Sequence, residues 1–130
     1  YKSFQPCWSK PVGKERFSCA RASLSLGPDI SQEAQLCQGK AGANQVECKH
    51  KLKEKVLYMI TFRFYDLETR AEALADRGVD LNDIADFETV IETKKQEFYK
   101  ATTNASRVSI ILNVRKAWQD FVNKVRDQII

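Results

Sequence analysis

Thirty consecutive residues, Cys48 to Arg77, contain neither proline nor glycine. Within them Leu52, Val56, Met59, Ile60, Leu67, Ala71 and Leu74 recur at the three-and-four spacing of one helix face. A helix of that length reaches about 45 Å at 1.5 Å per residue, so the rest of the chain must be arranged around it. Its middle also carries Tyr58, Phe62, Phe64 and Tyr65. These aromatics make the segment apolar almost all round, and a helix of that kind is covered on several sides. Core packing is the first expected cover, a subunit interface the second and a ligand pocket the third. Tyr58, Phe62, Phe64 and Tyr65 are therefore the interface candidates.

The four cysteines, Cys7, Cys19, Cys37 and Cys48, all lie in the first 48 residues. An even number in one loop-rich region predicts two disulfides and an oxidising compartment. Structural zinc sites use close pairs such as C-x2-C, whereas the gaps here are 11, 17 and 10 residues. A weak internal repeat relates QPCWSKPVGKERFSCA (5–20) to QLCQGKAGANQVECK (35–49). If each copy closes its own loop, Cys7 bonds Cys19 and Cys37 bonds Cys48, one of the three pairings open to four cysteines. Between the copies, Phe17 to Leu26 reads as a short helix stopped by Gly27-Pro28. A second short helix starts at Ser31 as N-cap and stops at Gly39, and a loop follows from Gly39 to Asn44. The stretch CARASLSLGPDISQEAQLCQGKAGANQVEC resembles the short cysteine-bounded helical repeats of secreted microbial proteins. That resemblance implies an extracytoplasmic helical module and no particular activity.

Gly78 lies just past the last apolar position of the long helix, where a C-cap is expected. Asp80 is the expected N-cap of the next helix, which carries Leu81, Ile84, Phe87, Ile91, Phe98 and Ala101. Asp83 adds negative charge to its first turn. The last helix, from Asn104 or Ser106, carries Val108, Ile111, Val114, Trp118, Phe121, Val122, Val125 and Ile129. Trp118 is expected to be buried against the long helix. Connections this short make neighbouring helices antiparallel. Residues 79–101 hold six acidic and three basic side chains, and residues 102–130 hold two acidic and five basic. Opposite charge of this kind suits an antiparallel pair. The stretch from Leu74 to Phe121 is similar in pattern to helical segments of bacterial and archaeal surface proteins, and this names no activity.

Little catalytic equipment is visible. His50 is the only histidine, and it sits among lysines in Lys49-His50-Lys51-Leu52-Lys53. It is expected to be an exposed helix residue, not half of a nucleophile–base pair. The carboxylate pairs Asp66/Glu68, Asp80/Asp83 and Asp83/Asp86 could serve acid–base chemistry. Stabilisation of a helix start already explains the last two. There is no P-loop, no G-x-G-x-x-G and no EF-hand loop. Lys49, Lys51, Lys53 and Lys55 spread around a helix instead of forming one patch, and the formal net charge is only +4, so no nucleic-acid partner is expected. Asn104-Ala105-Ser106 fits the N-x-[ST] glycosylation pattern in a surface turn.

The expected fold is all-α and a single domain over residues 1–130. A disulfide-stapled N-terminal module of short helices (1–48) precedes a long helix and an antiparallel helical hairpin, together a three-helix bundle (49–130). No apolar run reaches 18 residues, so no transmembrane segment is expected. The chain begins at Tyr1 without methionine, which reads as a mature or trimmed form. The expected location is extracellular or at the cell surface, the periplasm included. The expected function is non-enzymatic: a structural or interaction protein, such as a subunit of an extracellular assembly. No cofactor and no metal are expected, and the expected partner is another protein or a second copy. The alternative is a small helical carrier that holds an apolar ligand in its bundle interior.

Overall fold

A computed structural model describes residues 2–11, 13–26 and 30–130, with side chains from residue 5 onward. All regular structure among the described residues is helical. A 3-10 segment, Lys2–Ser9, leads into α1 (Lys14–Ser23), α2 (Ile30–Gln38) and α3 (Gly42–Ala73). After a 3-10 turn, Leu74–Arg77, come α4 (Leu81–Lys100) and α5 (Asn104–Val125), and a last 3-10 turn covers Arg126–Gln128. No helix among the described residues is long and apolar enough to cross a membrane. The chain divides into two compact units, Tyr1–Arg63 and Phe64–Ile130, and the division falls within α3.

In the first unit one disulfide joins Cys7 to Cys19, and the other joins Cys37 to Cys48. The first draws the 3-10 segment onto α1, and the second draws the end of α2 onto the beginning of α3. A small core gathers Cys7, Ala20, Leu24, Leu26, Met59 and Phe62, with Trp8, Phe17 and Leu52 packed on it. Phe62 is its centre: Trp8 stacks on it at 4.6 Å and Phe17 meets it edge-on at 5.9 Å. Arg16 is buried, and its guanidinium donates to the backbone carbonyls of Trp8 and Lys10 while standing 5.3 Å from the Trp8 ring. Those bonds satisfy carbonyls at the end of the 3-10 segment, and they are charge-assisted.

Several boundaries differ from the sequence pattern. Helix α1 starts earlier, at Lys14, and ends at Ser23. Ser31 lies inside α2, which begins at Ile30, so it is not the N-cap. The Gly27-Pro28 stop falls outside the described residues. Helix α3 starts at Gly42, not Cys48, and takes in Ala43 and Asn44, which had been expected in a loop. Gly42 takes a φ of 59°, the left-handed region that a glycine enters without a Cβ penalty, so the chain turns there and helix follows at once.

In the second unit, Gly78 does cap the long helical stretch. Its φ is 93°, its N–H bonds the Ala75 carbonyl, and the Val79 N–H reaches back to the Leu74 carbonyl. This is the Schellman pattern of paired 6→1 and 5→2 bonds, and the buried Val79 completes it. Asp80 then caps α4 by accepting from the Asn82 N–H at 2.7 Å. Helix α4 buries Ile84, Phe87, Ile91, Lys95 and Phe98 at intervals of three and four. Helix α5, capped by Thr103, buries Ile110, Val114, Phe121 and Val125. Phe87 stacks on Phe121 at 4.6 Å, and Phe98 meets Phe64 edge-on at 5.5 Å. The start of α4 is fastened to the end of α5: Asp83 bonds Lys124 and Gln128, and Gln128 accepts from the Asp80 N–H. The Ile130 N–H bonds the Arg77 carbonyl at 2.9 Å.

A Cβ on Gly78 would lie 3.0 Å from Ile130 Cδ1 and 3.1 Å from the Gln128 carbonyl oxygen, in addition to the left-handed φ. Gly78→Ala should therefore cost on the order of 1–3 kcal/mol in urea unfolding. A cost indistinguishable from zero would show that the cap and the adjoining chain yield freely.

Candidate functional site

The sequence-derived candidates separate in the structure. All four cysteines are in disulfides. Phe62 and Phe64 are 0% and 3% exposed, each in the core of its own unit, so neither offers a free surface for an interface. Tyr58 and Tyr65 remain 39% and 38% exposed. Trp118 is half-buried; it packs edge-on against Phe87 at 5.6 Å and tilts against Phe121. Its ring contacts are with α4 and its own helix, and it is half-buried, short of the burial expected against the long helix. With Gln119, Val122, Asn123 and Arg126 it lines a shallow groove of about 360 Å³. Val108 and Leu81, which stand among the apolar residues expected on their helices, are 54% and 71% exposed. Asn104 is exposed at the first position of α5, where its Oδ1 accepts from Arg107. His50 is exposed on α3, with Nε2 3.4 Å from a Glu54 carboxylate oxygen. In the first unit an open groove of about 470 Å³ runs beside the Cys37–Cys48 bond, between Glu33, Lys40, Glu47, Lys51 and Lys55.

The most unusual chemistry lies where the end of α3 meets α4. Lys95 is only 3% exposed. Its ammonium donates to Glu68 at 3.1 Å, pairs with Glu92 one turn earlier, and stands 3.5 Å from the centre of the Tyr65 ring. Burial opposes its charge, but the bonds from Glu92 and Glu68 outweigh that and hold its pKa above the ordinary lysine value. Glu68 is pushed up to about 7, first by burial, against the opposing hydrogen bond from Lys95. Glu88 is also pushed up to about 7, by burial and then by the neighbouring Glu72 carboxyl. Its Oε1 is buried without a hydrogen-bond partner. For Glu92 burial is again the largest influence, yet the Lys95 bond prevails and lowers its pKa. On the same helix as Glu68, Asp66 is 2% exposed and lies 2.9 Å from Arg70.

Four glutamates and one lysine thus share one region, with two glutamates poised near neutrality. Strongly shifted groups of this kind mark functional sites and structural ion networks alike. No group of His, Cys, Asp and Glu among the described residues has the arrangement to hold a metal ion. The signal for the cluster was present in the sequence: Lys95 occupies a stripe position between Ile91 and Phe98. A lysine there must either leave the stripe or bring a carboxylate inside, and Glu68 is that carboxylate. Comparison with family models, curated proteins and solved structures returns no match.

Lys95→Met keeps the length of the apolar stem and removes the charge. Above pH 8 it should cost about 3 kcal/mol in urea unfolding, because Glu68 then loses its buried partner. Near pH 5, where Glu68 carries its own proton, the loss should shrink. An equal loss at both pH values would show that packing, and not charge, explains the buried lysine.

Proposed function

We propose that this protein is a non-enzymatic interaction module that works outside the cytoplasm, as a subunit of an assembly built from copies of itself or with a protein partner. One observation carries the reading. Val108 and Leu112 stand one turn apart on α5 and are 54% and 55% exposed, while other positions of the same helix bury Ile110, Val114, Phe121 and Val125. Residues at i and i+4 adjoin on a helix surface, so the two side chains form one apolar spot in water. Tyr99 and Val90 add exposed apolar surface on α4.

The architecture suited to this role is a three-helix bundle formed by the end of α3 with α4 and α5, the last two as an antiparallel hairpin. The Phe64–Phe98 and Lys95–Glu68 contacts support its first pair, and Phe87–Phe121 with Asp83–Lys124 support its second. The disulfides support an extracellular, cell-surface or periplasmic location, because thiols are kept reduced in most cytosols. Both bonds lie in the first unit, and the proposed contact surface lies in the second.

Light scattering across a concentration series tests the reading. The wild type should gain mass as concentration rises, and Val108→Asp/Leu112→Asp should stay monomeric with its thermal midpoint retained. Such exposed positions lie outside the core, so the charges should leave the fold intact. A wild type that stays monomeric at every concentration would remove self-assembly from the proposal. A double variant that associates as the wild type does would remove α5 as the contact.

A further inference from the structure

We propose that the Cys37–Cys48 disulfide is a reversible thiol–disulfide switch: a small thiol opens it by attack on Cys48 Sγ, and opening it releases α2 while Cys7–Cys19 stays closed. This is independent of the contact surface proposed on α5.

The two bonds stand in different surroundings. Cys7 is fully buried in the core of the first unit, and Cys19 packs on that core. Trp8, beside Cys7 in the chain, stacks on Phe62, and Arg16 holds the carbonyls of Trp8 and Lys10. Cys37 and Cys48 instead form part of the wall of the open groove of about 470 Å³. Cys37 is 2% exposed and Cys48 is half-buried, so a reagent in the groove meets Cys48 first. Disulfides open to solvent are the labile and regulatory ones, and access decides which sulfur is attacked.

The groove also suits the charge of the reaction. Lys40, Lys51 and Lys55 line it, against Glu33 and Glu47. Lys51 pairs with Glu47 at 3.2 Å, and Lys55 donates to the Ser25 carbonyl at 3.4 Å. Ammonium groups near a sulfur favour its thiolate, which is both the attacking and the departing species. The incoming thiolate bonds to Cys48 Sγ, the bond between the two Sγ atoms breaks, and Cys37 leaves as a thiolate that takes a proton from water. A second thiolate then attacks the outer sulfur of the mixed disulfide and releases Cys48. Two small thiols are oxidised to one disulfide, and their two electrons leave Cys37 and Cys48 as thiols.

The consequence follows from how α2 is held. Of its nine residues only Cys37 is buried, and Ile30 and Leu36 are exposed. The side chain that α2 places inside the unit is thus one half of the disulfide. Without the bond, little burial opposes the entropy gained when α2 leaves. Cys7 and Cys19 behave the other way. The aromatic core and the Arg16 bonds keep their two segments together, so an opened pair meets at high effective concentration and recloses.

The test incubates the oxidised protein in mixtures of reduced and oxidised glutathione, alkylates free thiols, maps them by mass spectrometry and reads hydrogen exchange on the same samples. Cys37–Cys48 should open at a reduced-glutathione concentration about tenfold below that needed for Cys7–Cys19. In the partly opened sample glutathione should be found on Cys48. Amides of α2 should then exchange quickly, while those of α1 stay protected. Cys7–Cys19 opening first, or both bonds opening together, would overturn the switch. So would glutathione on Cys37 in place of Cys48, or α2 amides that stay protected once Cys37–Cys48 is open. Cys37→Ser/Cys48→Ser removes the bond without any thiol, and it should show the same fast exchange in α2 with α1 protected. Should that variant not fold, the glutathione series on the wild type decides alone.

Discussion

One stretch of α3 supplies both cores. Met59, Phe62 and Phe64 lie within six residues of a single helix and all are buried, Phe62 and Met59 in the first unit and Phe64 in the second. The first unit is assembled on Phe62. Trp8 and Phe17 pack on it, and Cys7–Cys19 and the Arg16 bonds hold the 3-10 segment that carries Trp8 against α1. Six buried residues make up that core, and a unit this small leaves much of its apolar surface in water. The disulfides offset the shortfall. With sequence separations of 12 and 11 they each contribute about 3 kcal/mol on the chain-entropy model.

The second unit solves a different problem. Its stripe on α4 is interrupted by Lys95, and burying one charge obliges the neighbouring helix to bring others in. Glu68 answers on α3, and Glu92, Glu72 and Glu88 follow by proximity. Replacing such a network by apolar side chains is often neutral or stabilising. The opposite end of the unit is held by more ordinary means, the Schellman cap at Gly78 and the bonds of Asp83 to Gln128 and Lys124.

Much of the fold was legible in the sequence, because local chemistry decided it. The absence of proline and glycine from Cys48 to Arg77, the glycine at 78 and the aspartate at 80 each mark a helix boundary or interior by a known mechanism, and the cysteines announce oxidation by their number and grouping. Where the sequence misled, tertiary packing decided instead. Periodicity alone cannot say which of two adjacent stripes on α5 turns inward. Val108, on the expected stripe, is exposed, while Ile110, which belongs to no expected stripe, is buried. For Phe62 and Phe64, core packing was the first expected cover, and both are buried. The charged cluster was overlooked because lysine and glutamate are ordinarily solvent-facing, and only the place of Lys95 between Ile91 and Phe98 argues otherwise.

The first unit depends on its disulfides for what its core cannot supply, while the second unit stands on packing and charge. Hydrogen exchange resolved by residue, before and after reduction of both disulfides, tests it most directly. Amides of α1 and α2 should lose protection on reduction, and those of α4 and α5 should keep theirs. Unchanged protection in α1 and α2, or equal loss in α4 and α5, would contradict it.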